Sequence, residues 1–253
     1  LRPMPSDTYD QIAQDVEPLA RPVAVMTIGA HPDDAEFGAG ATLSRWTTAG
    51  ATATVVIATD GSKGSWNARI DYDTLVAQRR REQVSAAAVL GVRSVAWLGQ
   101  PDGELRRTPE LRRAIASLIR KHRPDVVLTH DPWQRYQLHP DHRATGMLAV
   151  DAVVAAREPR FYPDQGLEAH RPSAVLLWSA DDPDHAEPLD RRAFDAKIDS
   201  LLCHTSQSQT TMGDAAASEA ARERFVEQID AHLRKQGGPF GFDRAEVFKR
   251  ITP

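Results

Sequence analysis

The 253-residue chain carries 31 Lys and Arg against 35 Asp and Glu, a formal charge of -4, with 41% hydrophobic residues. That balance is ordinary for a globular protein and excludes a basic nucleic-acid binder. A single cysteine, Cys203, excludes an internal disulfide and any thiolate zinc cluster, so a bound metal must rest on histidine and carboxylate.

Residues 1–22 are polar and proline-bearing, with a short helical possibility over Tyr9 to Leu19, and read as an amino-terminal arm ahead of one domain over 23–253. No signal peptide is visible, and apolar stretches are broken by charge within about ten residues, well short of a bilayer span. The expectation is therefore a cytoplasmic protein with no membrane partner. From Val23 to Gly29 a short continuous apolar run predicts a strand buried on both faces. A helix follows to Ala49-Gly50, then a second buried strand over Ala53 to Ala58. Tyr72 to Leu90 reads as a helix stopped by Gly91, Ser94 to Leu98 as a strand, and Thr108-Pro109-Glu110 as the opening of a helix to about Lys121. The run Arg79-Arg80-Arg81 reads as a solvated helix face, with pairing to an anionic group as the alternative. Asp125 to His130 is a further strand, a helix runs from Asp141 to about Ala156, and Ala174 to Ser179 is one more strand. Leu189 to His204 is helical, 206–213 a polar loop, Ala215 to Lys235 a last helix before a short end segment.

Strands alternating with helices predict a Rossmann-like three-layer α/β fold with a mostly parallel sheet, whose active site lies at the carboxyl ends of the strands. The loops at those ends are rich in acid and imidazole. They read Ala30-His31-Pro32-Asp33-Asp34, Thr59-Asp60-Gly61, Pro101-Asp102-Gly103, and His130-Asp131 leading to His139-Pro140-Asp141-His142. Proline and aspartate at a helix start are explained by capping and the helix dipole, but the histidines are not. Two His-Pro-Asp loops meeting over one sheet favour a metal site. Two histidines and a carboxylate with a fourth position for water suit hydrolytic zinc. His31 and Asp34, three apart, share one side of a helical turn, which leaves Asp33 free as a base. His142 is offered as the third ligand, with His139 facing the substrate and Asp141 holding an imidazole in one tautomer.

These motifs, together with Arg79 to Glu82 before Ala88-Val89-Leu90-Gly91 and His204-Thr205-Ser206-Gln207, resemble the LmbE/PIG-L family of zinc-dependent N-deacetylases over most of 23–210. The resemblance implies zinc on His31, Asp34 and His142, and Asp33 as general base. It implies that His139 stabilises the oxyanion or protonates the leaving amine, and that Arg79 and Asp102 contact substrate. Trp66, Trp133 and Tyr136 are candidate stacking surfaces for a sugar or aglycone, with packing beneath a loop as the alternative. Asp60 and Asp131 read as supports of the site or as turn formers, and His204 as a pocket residue or a helix cap. Cys203 reads as a core thiol, and His122, His170, His185 and His232 as surface residues.

The expected reaction removes acetyl from the N-acetylglucosamine unit of a small-molecule glycoconjugate. A glycopeptide-antibiotic pseudoaglycone is favoured, with N-acetylglucosaminyl-inositol of mycothiol synthesis as the alternative. A nucleotide-binding Rossmann protein is disfavoured because the loop after the first strand lacks G-x-G-x-x-G, and Gly38-Ala39-Gly40 comes too late. A non-catalytic zinc or sugar-binding module would leave Asp33 idle. The oligomeric state is left open.

Overall fold

The computed structural model describes residues 17–253. Most of the proposed arm, including nearly all of the helical possibility at Tyr9 to Leu19, lies outside the described residues. The strands are β1 Ala24–Gly29, β2 Thr52–Thr59, β3 Ser94–Gln100, β4 Val126–His130, β5 Ala174–Trp178, β6 His185–Pro188 and β7 Ala245–Ile251. The helices are α1 Asp34–Thr48, α2 Tyr72–Val89, α3 Pro109–His122, α4 Pro140–Arg157, α5 Arg191–Leu202, the short α6 Ser208–Thr211 and α7 Glu219–Gly237.

The strands form one seven-stranded sheet in the order β3-β2-β1-β4-β5-β7-β6. The first five are parallel, and β7 runs antiparallel to both β5 and β6. Alternation along each strand divides the core in two, because successive side chains point to opposite faces. Met26, Ile28, Val56 and Val127 pack with Ile115, Ile119, Leu148 and Ala152 of α3 and α4. Val25, Val55, Ile57, Leu128 and Leu176 pack with Leu43 and Trp46 of α1 and Ala87 and Leu90 at the end of α2. Strands buried on both faces must be apolar throughout, which is why their sequences are nearly unbroken runs. Strand order reverses between β1 and β4, and a crevice opens there above the carboxyl ends.

Helix boundaries follow their caps. Asp71 and Thr108 accept from the amides of Thr74 and Leu111, and Pro109 fills the first position of α3. Ser218 caps α7 through the Ala221 amide, so that helix starts at Glu219 rather than at Ala215 as the sequence suggests. Strands β6 and β7 are not foreseen in the sequence. β6, at the sheet edge, has only 4 residues, and β7, between β5 and β6, is mixed in polarity.

α1 is kinked at Ala39 (φ -152°, ψ 18°). A kink frees backbone groups that need new partners. Lys197 Nζ donates to the carbonyls of Glu36 (2.8 Å) and Phe37 (2.6 Å), while Glu246 accepts from the amides of Ala41 (3.1 Å) and Thr42 (2.7 Å). The two side chains meet at 2.6 Å, both buried. Gly38 sits at the kink because a Cβ there would lie 2.5 Å from the Trp178 ring. Gly38 therefore serves packing of α1 on β5, while Gly40 faces Lys197 and Ser200 of α5.

Candidate active site

A cleft of about 770 Å³ opens at the carboxyl ends of the strands, lined among others by His31, Asp33, Asp34, Asp102, His139 and His142. The first group comes from the turn between β1 and α1. Asp34 Oδ2 accepts from the amides of Ala30 (2.8 Å) and His31 (2.7 Å) and from His130 Nε2 (3.0 Å). His130, last residue of β4, takes the Trp178 indole N–H on Nδ1 at 3.0 Å, so its own proton sits on Nε2 and is given to Asp34. Burial works against ionisation of Asp34, but the imidazoles of His130 and His142 prevail and hold its carboxyl well below the usual range.

The second group comes from the start of α4. Pro140 occupies the first helical position and His139 caps the helix, its Nδ1 accepting from the Asp141 amide at 3.3 Å. One helical turn places His142 beside His139, the rings stacked with centroids 4.7 Å apart. Asp141 is wholly buried and accepts from the amides of Gly103 (2.7 Å) and Leu105 (3.1 Å). The imidazole that it holds is His31, whose Nε2 lies 3.2 Å from Asp141 Oδ2 and 3.2 Å from Asp102 Oδ1. Neither neighbouring histidine of its own motif is its partner.

With Nε2 committed, His31 turns Nδ1 towards His142 Nε2 at 3.3 Å and Asp34 Oδ2 at 3.6 Å; His142 Nε2 lies 3.5 Å from Asp34 Oδ1. Donors bonded tetrahedrally to zinc at 2.0–2.1 Å stand about 3.3 Å apart, a spacing that the two imidazole nitrogens match, while Asp34 meets each of them with a different oxygen. The sets of mutually close donors overlap: His31 and His142 group with His139, Asp34 and His142 with His130, and His31 and His139 with Asp102 and Asp141. Of these, His130 and Asp141 are already tied to the ligands as hydrogen-bond partners, which is how metal-binding imidazoles and carboxylates are oriented. Burial opposes a proton on His31, yet the carboxylates of Asp102, Asp141 and Asp34 push its imidazole well above the usual value, so cation binding must displace a proton. His142 is the opposite case, since burial brings it down to about 4 and leaves it a ready donor.

Asp33 stands between β1 and α1 with left-handed backbone (φ 102°), lining the cleft with its carboxyl 3.6 Å from Arg79 Nη2. Burial drives its pKa up to about 6, against the pull of Arg79. Arg79 is buried, not on a solvated face. Its guanidinium donates to the carbonyls of Gly61 (3.0 Å) and Pro32 (2.6 Å), joining two loops of the site. Asp102 is similarly engaged, one oxygen on His31 and the other accepting from the Lys63 amide at 2.9 Å; burial opposes, but His31 draws its pKa down to about 2. Trp66 lies on the cleft wall, 75% exposed. Trp133 and Tyr136 are also exposed, on the loop before α4, and do not line the cleft.

Asp60 and Asp131 organise turns, accepting from the amides of Ser62 and Asp102 and of Trp133. His204 neither lines the pocket nor caps a helix. It is fully buried against Glu36, its Nε2 3.5 Å from Glu36 Oε2. Cys203 is the half-buried C-cap of α5 and not a core thiol, its Sγ donating to the Asp199 carbonyl at 3.3 Å on the exposed side of the helix. His185 is buried on β6 beside Glu187 and is not a surface residue, whereas His232 of α7 is exposed, as expected, on the far wall of the cleft. Sequence reasoning placed His130 among the loops of the site without giving it a role, and did not single out Trp178, Gln83 or the Lys197–Glu246 pair. For His130 a signal exists, since it ends a buried strand at the carboxyl edge of the sheet.

Fold and site together define an amide hydrolase of α/β class. The chain matches the family described as PIG-L: GlcNAc-PI de-N-acetylase over residues 26–153, and it belongs to that family. It is 34% identical over 194 residues to the diacetylchitobiose deacetylase of Thermococcus kodakarensis, covering 76% of this chain and 72% of that one. It is 28% identical over 260 residues to 1D-myo-inositol 2-acetamido-2-deoxy-alpha-D-glucopyranoside deacetylase 2 of Saccharopolyspora erythraea, covering 85% and 94%. Among solved structures, the N,N'-diacetylchitobiose deacetylase from Pyrococcus horikoshii superposes with a TM-score of 0.83 at 26% identity, over 99% of this chain and 94% of that one. The protein is thus a deacetylase of the N-acetylglucosamine type. Among the described residues, no helix is long and apolar enough to cross a membrane.

Proposed function

We propose that this protein is a zinc-dependent hydrolase that removes the acetyl group from the N-acetylglucosamine unit of a short glycoside. The observation that carries the reading is the pair His31 Nδ1 and His142 Nε2, 3.3 Å apart, with one Asp34 oxygen 3.6 Å from the first and the other 3.5 Å from the second, beside a buried Asp33. A divalent cation held by those three would polarise the acetamide carbonyl and acidify a water molecule. Asp33, its affinity for a proton raised by burial, takes the proton as water oxygen bonds to the acyl carbon. Asp33 then passes that proton to the nitrogen as the C–N bond breaks, while His139, whose Nδ1 caps its own helix, has its Nε2–H free to donate a hydrogen bond to the oxyanion. Acetate and a free amine result.

Likeness to diacetylchitobiose deacetylases in both sequence and structure favours a second sugar as the aglycone. The mycothiol-pathway relative supports an inositol in that place. A glycopeptide pseudoaglycone draws on one feature, the exposed Trp133, Tyr136 and Leu138 before α4, where a bulky group would find apolar surface. The test is acetate release from N,N'-diacetylchitobiose, N-acetylglucosaminyl-inositol and a glycopeptide pseudoaglycone, each with zinc-loaded and chelator-treated protein. Zinc-dependent release, greatest from the disaccharide, is expected. Equal rates after chelation, or acetate from none of the three, would remove the proposal.

A further inference from the structure

A left-handed backbone is costly for a residue with a side chain and persists only where its surroundings enforce it. At Asp33 the enforcement comes from a line of buried side chains that take no part in the reaction. The Asp33 amide donates to Gln83 Oε1 at 3.1 Å, Gln83 Nε2 donates to Glu36 Oε1 at 2.7 Å, and the other Glu36 oxygen faces His204 Nε2 at 3.5 Å. Gln83, Glu36 and His204 are all fully buried, and none lines the cleft. Glu36 Oε2 and both His204 nitrogens have no hydrogen-bond partner among the described residues, so carboxylate and imidazole are left to each other.

A glutamine has a donor end and an acceptor end, and what meets one end decides what the other presents. A carboxylate only accepts. Glu36 therefore takes the Gln83 NH2 group, and the Gln83 carbonyl is left to receive the Asp33 N–H. An amide at position 36 would let Gln83 turn over and set NH2 against N–H. We propose that Glu36, backed by His204, is a positioning residue that acts through Gln83 on the backbone of Asp33 and so aims the base. The inference rests on the reading of Asp33 as the base given above.

The isosteric Glu36→Gln variant is the test. Its kcat is expected to fall about ten- to a hundredfold, with KM and zinc content per chain unchanged, because slight misplacement of a reacting group costs rate and not binding. Should that variant not fold, Gln83→Met, which removes the acceptor for the Asp33 amide, is read in the same way. The control is the Asp33→Asn background, where adding Glu36→Gln is expected to cause no further loss, since no base remains to be misaimed. Full kcat in a folded Glu36→Gln protein, the same loss in both backgrounds, or loss of zinc together with rate would overturn the inference. Near-wild-type turnover by Asp33→Asn alone would instead strike the base assignment, and the inference with it.

Discussion

Asp33 and Asp34 adjoin in sequence, yet the fold gives them opposite tasks. Asp34 is met by two amides and two imidazoles, which favour the charged form, whereas Asp33 is met by desolvation and one guanidinium shared with two carbonyls. Asp33→Asn should therefore keep zinc while losing kcat by about 10²–10⁴-fold, read by metal analysis beside steady-state rates. Asp141→Asn should behave differently. It weakens the acceptor that orients His31, and zinc affinity is expected to drop about 10–100-fold in a chelator competition. The paired His-Pro-Asp motifs were legible because their chemistry is local. The partner of Asp141 was not, since His31 lies 110 positions away and only the sheet brings the two together. For the same reason the run at Arg79 read as a solvated helix face, although the fold turns the Arg79 guanidinium inwards onto the loops at Pro32 and Gly61.

α1 carries Asp34 at its first turn, and its kink is set by residues far along the chain. Lys197→Met would leave Glu246 buried without its cation and two carbonyls unmet. Such losses cost about 3–5 kcal/mol, which for a chain of this size lowers Tm on the order of ten degrees by calorimetry. Gly38→Ala should also destabilise, because its methyl group has no room beside Trp178. Unchanged Tm in both would mean that the kink is indifferent to these contacts. Periodicity revealed the parallel strands and their helices, since burial on both faces imposes apolar runs. It did not reveal β6 and β7, because His185–Pro188 is only 4 residues long and the apolar run of Ala245–Ile251 is broken by Glu246, Lys249 and Arg250.

Across the whole molecule, the proposed ligands come from two distant segments that fold onto adjacent strands. A cation bound only by the folded chain stabilises it by mass action, by about 2.7 kcal/mol at a hundredfold excess over Kd. Chelation should accordingly lower Tm by roughly 5–10 °C, and zinc should restore it. A melting curve indifferent to chelator would argue that the trio holds no ion. The parallel sheet and a site at its carboxyl ends followed from the alternation of elements, whereas the strand order did not. The antiparallel edge, which no crossover rule demands, had to be seen.

The clasp between α5 and β7 has a practical meaning for anyone seeking a minimal catalyst. Every proposed ligand, the base and His139 fall within the family-matched stretch 26–153. Yet Lys197 and Glu246, which brace the helix bearing Asp34, both lie beyond it. Excising that stretch would retain the reactive groups and discard their scaffold, so the chemistry cannot be pared down to its signature motifs.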